Sequence, residues 1–306
     1  MSDHTSSYVL VTAARNEQEH IESTLRSVIV QTVLPRRWVI VSDGSTDDTD
    51  EIVKRYQAHC DFIELVRRDT SESRNYGSKV IAIRRGIQRL EAVPYEFIGN
   101  LDGDVAFGCD YYKNILQKFR ENPKLGIAGG RVFEYVGQRR VRGSGTMQSV
   151  HGTIQMFRRL CYEDIGGYTP SAIGAVDAIA EITARMKGWQ VRTFPAEQVV
   201  HLRRMGTAGQ HILAARFKEG RQLYGLGSHP LFEFLKCLYR LPERPKVLGS
   251  LARLGGYLWA CLCRQEAILP PETSEYLHRE QVLRVRCALF GTKRPSDGSP
   301  VPQSLH

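Results

Sequence analysis

Over the first 130 residues, short apolar runs alternate with stretches of helical spacing. Residues 8–13 are a Val-rich apolar run, which predicts a buried strand. Residues 19–31 place Ile21, Leu25, Val28 and Ile29 on one side of a helix. Residues 38–41 predict a second strand, ending in the polar turn Ser42-Asp43-Gly44-Ser45. A second helix follows over 46–56, its first turn acidic as the helix dipole favours. The pattern repeats with a strand over 62–66 and a helix over 78–90. A strand over 97–101 then runs into Asp102-Gly103-Asp104, followed by a helix over 110–120 and a strand over 125–128.

Strands of about five residues alternating with helices of this length predict βαβ units and a mainly parallel, Rossmann-like α/β sheet. Ligands of such sheets bind at the carboxyl ends of the strands. Three polar turns sit at those ends: Ala14-Arg15-Asn16-Glu17, Asp43-Gly44-Ser45 and Asp102-Gly103-Asp104. Beyond residue 130 the alternation fails. Short strands are expected at 153–157, 191–194 and 198–201, with a helix over 177–187 stopped by Gly188. From residue 206 the pattern is helical and basic, and the Pro- and Ser-rich stretch 292–306 reads as a disordered tail. There is no internal repeat.

Composition changes this picture only at the margins. The 306 residues are 42% hydrophobic and 25% charged, which excludes a disordered or fibrous chain. Seven scattered cysteines without a Cys-x-x-Cys pair point to reduced thiols in a cytosolic protein. No signal peptide or spanning segment is expected; Arg253 interrupts the longest apolar stretch, residues 247–263. The net charge of +9 lies largely in the C-terminal third.

Asp102 and Asp104 after an apolar strand can share one hard cation such as Mg²⁺ or Mn²⁺, which takes its other ligands from phosphate and water. Gly103 between them allows close approach of ligand or backbone. Alone, the pair also reads as a polar turn. Asp43 can accept hydrogen bonds from a base or ribose, and the following helix N-terminus favours anions. That segment reads equally as a simple cap by Ser45 or Thr46.

As a set, these motifs resemble family 2 glycosyltransferases of the GT-A fold. The residues that carry the resemblance are Val11 to Glu17 (Val-Thr-Ala-Ala-Arg-Asn-Glu), Val41 to Asp47 (Val-Ser-Asp-Gly-Ser-Thr-Asp) and Leu101-Asp102-Gly103-Asp104. Gly166-Gly167-Tyr168, Asp177 ahead of Gly188-Trp189, and His201 after a strand extend it to about residue 205. The resemblance implies a GT-A catalytic domain over 1–205, its nucleotide-sugar half over about 8–130 and its acceptor half over about 131–205. A basic amphipathic helical extension would occupy 206–290, with the tail over 291–306. Ala13, Arg15 and Glu17 would border the base, and Asp43 would bind base or ribose. Asp102 would contact ribose or metal, Asp104 would hold the metal on the donor diphosphate, and His201 would be a further metal or diphosphate ligand. Lys79, in Gly77-Ser78-Lys79, resembles a segment that approaches the nucleotide in some relatives. Arg203 and Arg204 beside His201 suit bidentate contact with phosphate oxygens. Each of these also has a bland reading, as a surface lysine, a buried histidine or a solvated basic turn.

The chemistry follows from charge. Breaking the sugar–phosphate bond leaves a nucleoside diphosphate with extra negative charge, which Mg²⁺ or Mn²⁺ and cationic side chains stabilise. The acceptor hydroxyl needs a carboxylate base, and Asp177 is the candidate. The family often places Glu before this Asp, where this chain has Val176; Glu181, one turn along the helix, is the substitute. The resemblance implies inversion at the anomeric centre.

The expected donor is a nucleotide-diphosphate sugar, first of all a UDP-sugar. The acceptor would be a saccharide or a lipid-linked chain in surface-polysaccharide assembly, a class that the stretch 226–232 also resembles. Between residues 230 and 290, Arg240, Arg244, Lys246, Arg253, Arg264, Arg279, Arg284 and Arg286 lie among apolar residues and Trp259. Such helices suit an anionic membrane surface, peripheral on the inner face of the cell membrane, or pack on the catalytic domain. Competing readings are an inactive nucleotide-binding scaffold on the same fold and a sugar-phosphate nucleotidyltransferase. The latter would carry a Gly-rich loop after the first strand, which is absent here. A nucleic-acid partner is not expected, because no recognition motif accompanies the charge.

Overall fold

The computed structural model describes residues 7–68, 76–136, 139–143, 145–171, 174–203, 212–242 and 245–290. The chain divides into two compact units. One holds residues 1–172 and 176–204, the other 173–175 and 205–306. Arg204, Arg244 and the tail from residue 291 lie outside the described residues.

The first unit begins as the alternation predicts. β1 (Tyr8–Ala14), β2 (Arg37–Asp43), β3 (Ile63–Arg68) and β4 (Phe97–Leu101) are joined through α1 (Ile21–Ile29), α2 (Thr49–Gln57) and α3 (Tyr76–Gln88). These four strands pair in parallel, in the order β3-β2-β1-β4. Their side chains alternate between two cores. Tyr8, Leu10, Trp38 and Ile40 pack with α1 and α2, while Val9, Val11, Val39 and Val41 pack with α3. Both faces are covered, so the strands read as continuous apolar runs.

After β4 come β5 (Val105–Phe107), α4 (Tyr111–Glu121), β6 (Leu125–Val136) and β7 (Arg139–Arg142). β8 (Ile154–Arg158), α5 (Arg159–Asp164), α6 (Val176–Met186) and β9 (Gln190–His201) complete the unit. The sheet continues as β8-β6-β9-β5, with β7 on β6. Here the pairing is mixed: β8 is antiparallel to β4 and β6, β5 to β9 and β7 to β6, while β6 and β9 are parallel.

Several elements differ from the sequence pattern. The strands expected at 191–194 and 198–201 are one strand, β9, with a register shift opposite Gly130 and Arg131. Pro195 cannot donate to a ladder, so the chain bulges there. β6 outruns its apolar stretch because β9 pairs with it as far as Glu134. β5, β7 and α5 are too short to carry a period of their own. α2 begins at Thr49 rather than at 46, and its first amide is capped by Asp47 Oδ1, 3.1 Å from Thr49 N.

The second unit comprises α7 (Ile212–Gly225), α8 (Pro230–Tyr239), α9 (Leu248–Leu262) and α10 (Pro271–Phe290). α7 and α9 lie so close that a Cβ on Gly220 would sit 1.9 Å from the Arg253 carbonyl oxygen. Ser228 links the remaining helices: its Oγ donates to Glu233 (2.5 Å) and accepts from Gln281 (2.7 Å), and its carbonyl accepts from Tyr257 (2.6 Å). Arg253, expected on a basic surface, is instead buried with its guanidinium on Glu219 at 2.8 Å. No described helix is long and apolar enough to cross a membrane. All seven cysteines are free.

Candidate active site

The loops that follow β1 and β2 are stitched to each other. Asn16 adopts a left-handed backbone (φ 54°), which its side chain stabilises by accepting from Thr46 N at 2.9 Å. Glu17 N donates to Thr49 Oγ1 (2.8 Å), Gln18 N to Asp47 Oδ2 (3.1 Å) and Asp48 N to Gln18 Oε1 (3.1 Å). Ser45 and Thr46, candidates for a helix cap in the sequence, bond to Asn16 instead.

The loop after β4 is held next to them. A Cβ on Gly103 would meet Ile21 Cδ1 at 3.0 Å and Glu17 Cγ at 3.4 Å. What approaches Gly103 is thus the start of α1. Asp104 is buried, with Oδ2 3.3 Å from His201 Nε2 and 3.9 Å from Arg203 Nε. Register explains the meeting: β5 runs antiparallel to β9 with Val105 opposite His201. Arg203 Nη2 also reaches Glu17 Oε2 at 2.7 Å. Residues expected from three separate motifs therefore share one cluster.

Asp102 is held differently. Its amide donates to Thr153 O (2.8 Å) and its Oδ1 accepts from Lys79 Nζ at 2.6 Å. Burial pulls the Lys79 ammonium down, but Asp102, Asp177 and Asp104 outweigh it and raise its pKa. Burial pushes the Asp104 carboxyl up; the hydrogen bond and charge of His201, with Arg203 and Lys79, overcome this and hold it below the carboxylate range. His201 is raised in turn: burial opposes its charge, and Asp104, Asp102 and Glu134 prevail.

Asp177, in the first turn of α6, lies over the His151-Gly152-Thr153 loop. A Cβ on Gly152 would stand 2.6 Å from Asp177 Oδ2. Glu181 is placed otherwise. It is 4% exposed, and Oε1 accepts from Val150 N (2.6 Å) and Gln155 Nε2 (3.2 Å), while Gln155 Oε1 takes the Tyr168 hydroxyl at 2.5 Å. Burial pushes its carboxyl up to about 7, against the attraction of Arg185. Asp43 is buried, and its two oxygens accept from Arg68 and Ser78. Ala13 and Arg15 stand at the carboxyl end of β1, and Arg15 Nη1 is buried with no hydrogen-bond partner among the described residues.

Three residues here escape the sequence reading. His151 bonds Thr153 Oγ1 at 3.0 Å, and its ring centroid is 6.2 Å from that of His201. Burial lowers its pKa, with Asp177 acting in the opposite direction. Arg68 and Ser78 close on Asp43. Arg68 ends β3 and was open to discovery by the strand-end rule; His151 carries no local signal.

Asp104 and His201 present two facing donors, which suits a cation whose other ligands come from diphosphate and water. Among the described residues, no group of three or more His, Cys, Asp or Glu side chains forms a complete protein-built metal site.

A parallel sheet with polar strand ends, continued by a mixed half that brings His201 to Asp104, is the architecture of the GT-A fold. Residues 9–182 match the profile described as glycosyl transferase family 2, and the chain belongs to that family. Poly-beta-1,6-N-acetyl-D-glucosamine synthase of Staphylococcus aureus (strain COL) is 24% identical over 212 residues, covering 63% of this chain and 49% of the synthase. The chain thus spans about half the length of the curated relatives it matches. Among solved structures, the mannosyltransferase PcManGT from Pyrobaculum calidifontis, in complex with GDP-Man and Mn²⁺, aligns with a TM-score of 0.53. Its identity is 19%, covering 94% of this chain and 81% of that one. S. aureus TarS 1–349 in complex with UDP-GlcNAc aligns at 0.51 and 13% identity, covering 92% and 81%. These likenesses establish the fold.

Proposed function

We propose that this glycosyltransferase inverts the anomeric centre as it moves a sugar from a nucleotide-diphosphate sugar to an acceptor hydroxyl in cell-surface polysaccharide synthesis. The observation that carries the proposal is the Asp104–His201–Arg203 cluster, with Lys79–Asp102 and Asp177 close enough for their charges to act on one another. Ala13, Arg15, Glu17 and Asp43 line the end of the sheet assigned to the nucleotide. UDP-GlcNAc is the first donor to test, on the strength of the polysaccharide synthase relatives and the TarS complex. GDP-mannose is the second.

Asp104 and His201 would hold Mg²⁺ or Mn²⁺, which when bound neutralises charge on the leaving diphosphate. Arg203 contributes a guanidinium to the same oxygens, positioned by Glu17. Lys79 orients Asp102 toward the ribose. Asp177 takes the acceptor proton as the new C1–O bond forms and the C1–O–phosphate bond breaks. Glu181 serves as a positioning residue, holding the Val150–Gln155 segment beneath Asp177.

The acceptor we propose is a saccharide or lipid-linked chain at an anionic membrane surface. α8 exposes Leu231, Phe234 and Leu238, and α9 exposes Leu248, Leu251, Leu258 and Leu262; each series has the spacing of one helix face. Residues 205–306 carry fourteen Lys and Arg against eight Asp and Glu.

A donor screen tests the chemistry. Purified protein is incubated with Mn²⁺ or Mg²⁺, nucleotide sugars and saccharide acceptors, and released nucleoside diphosphate is measured. Metal-dependent release from one donor, lost with EDTA and in Asp104→Ala, is expected. No release, with UDP or GDP still stabilising the fold, would instead leave the inactive nucleotide-binding scaffold; no stabilisation either would overturn the nucleotide-sugar reading.

A further inference from the structure

The β6–β7 hairpin carries its arginines on the surface. Every residue of β7 is exposed, and Arg139, Arg140 and Arg142 have no ion pair among the described residues. Gly137 and Gln138 before the strand and Ser144 after it carry no charge. Among the described residues β7 pairs with β6 alone, which leaves its outer edge open.

Alternation along β6 sorts the hairpin into two faces. Ala128 and Val132 belong to one core; Ile127 belongs to the other, together with Ala180 and Ala184 of α6. Phe133 and Tyr135 therefore stand on the α6 side. Register sets Arg142 opposite Phe133 and Arg140 opposite Tyr135, on that same side, with Arg139 and Val141 on the other. The guanidinium carbon of Arg140 lies 4.0 Å from the centroid of the Phe133 ring, and Tyr135 is 49% exposed. A guanidinium stacked on a ring still offers its in-plane N–H groups to an acid.

The hairpin runs beside the proposed transfer site. Glu134 pairs with His201 on β9 and with Val141 on β7, so Val141 is two strands from His201, about 10 Å at roughly 4.8 Å per strand. α6, on the side that the rings and guanidiniums share, carries Asp177 in its first turn.

We infer that this face of the hairpin docks the acceptor, and that the acceptor is an acidic saccharide. The C–H edge of a sugar lies on the electron-rich face of the Tyr135 ring, and a neighbouring carboxylate or phosphate takes Arg140 and Arg142. The inference rests on the transferase reading and names its acceptor class. An edge strand that used charge only to deter pairing would not need arginines and rings on one side. Phe133, Tyr135, Arg140 and Arg142 include no aliphatic side chain for a bilayer to take up, which favours a saccharide over a lipid surface.

The full chain is titrated by calorimetry, with UDP and Mn²⁺ present, against three tetrasaccharides. These are chitotetraose, its 6-phosphorylated form, and a chain alternating glucuronic acid and N-acetylglucosamine. At least one acidic chain should bind about tenfold or more tightly than the neutral one, the order of one charge-assisted hydrogen bond. Salt should erode the difference. Arg140→Gln/Arg142→Gln should abolish it. Arg139→Gln, an equal charge change on the opposite face, should keep it within about twofold, as an exposed charge without a partner does. Tyr135→Ala should weaken acidic and neutral chains alike, and thermal unfolding of each variant guards against a folding defect. Equal affinity for acidic and neutral chains, or an equal loss in Arg139→Gln, overturns the inference. So does binding of phosphatidic acid vesicles through Arg140 and Arg142 with no saccharide bound. Thermal stabilisation by UDP or GDP is read on the same samples. Its absence overturns the nucleotide-sugar reading, whereas stabilisation without a preference for the acidic chains overturns this inference alone.

Discussion

Glu181 offers the sharpest test of the division of labour on α6. Its carboxyl is fully enclosed, and burial pushes it up to about 7 from 4.5. The folded chain therefore holds this proton over a range in which the unfolded chain has released it. Stability from the protonated group is fully present below about pH 4.5 and is lost as pH rises to about 7. The interval is worth roughly 3 kcal/mol at about 1.4 kcal/mol per tenfold change. Glu181→Gln removes the titration while its amide oxygen still accepts from Val150 and Gln155. It weakens the contact with Arg185, 3.7 Å away, which offsets part of the gain. The net expectation at pH 8 is a stabilisation of about 1–3 kcal/mol, vanishing at pH 4.5. Urea denaturation of both proteins across this range measures it. Transfer by the variant should stay within a few-fold of the parent. Equal pH slopes for the two proteins would refute the buried-acid account; loss of transfer with stability unchanged would return Glu181 to the role of base.

Other substitutions probe Asp177 from two sides. Asp177→Asn should lower kcat by about 10²- to 10⁴-fold, the usual contribution of a general base, with donor affinity nearly unchanged; normal turnover would remove Asp177 from the chemistry. Gly152→Ala places a methyl group 2.6 Å from Asp177 Oδ2, so the carboxylate must shift by several tenths of an ångström. A displacement approaching 1 Å costs about 10²-fold, so kcat should fall while donor KM holds, and an unchanged kcat would place the reacting hydroxyl away from Asp177. The membrane reading predicts flotation with anionic liposomes, and failure to float with either neutral or anionic lipid would remove it.

The parallel run β3-β2-β1-β4 is legible in the sequence because β1, β2 and β4 are buried on both faces, the edge strand β3 keeps an apolar run, and each helix shows its own apolar side; the information is local. Asp43, Asp102 and Asp104 are legible for a related reason: polar turns after buried strands must lie at one edge of a parallel sheet. The mixed half is not. β6 and β9 owe their length to each other, and the Pro195 bulge disguises one strand as two. β5 exists only where β9 receives it, and that pairing is what sets His201 against Asp104.

Residue identity by itself determined the class of this protein, through three motifs at three strand ends. Tertiary structure decided which partner each charged group meets there. Lys79 and Arg203 reach Asp102 and Glu17 across 23 and 186 residues of chain. Asp177 and Glu181, one turn apart on the same helix, part company because one lies over a loop glycine and the other is closed in behind Val150. Arg253 looks like any basic residue of an amphipathic helix until α7 packs against it. Burial and the distance between charges depend on contacts remote in sequence, and those contacts decide which charged groups meet and which are closed off from solvent.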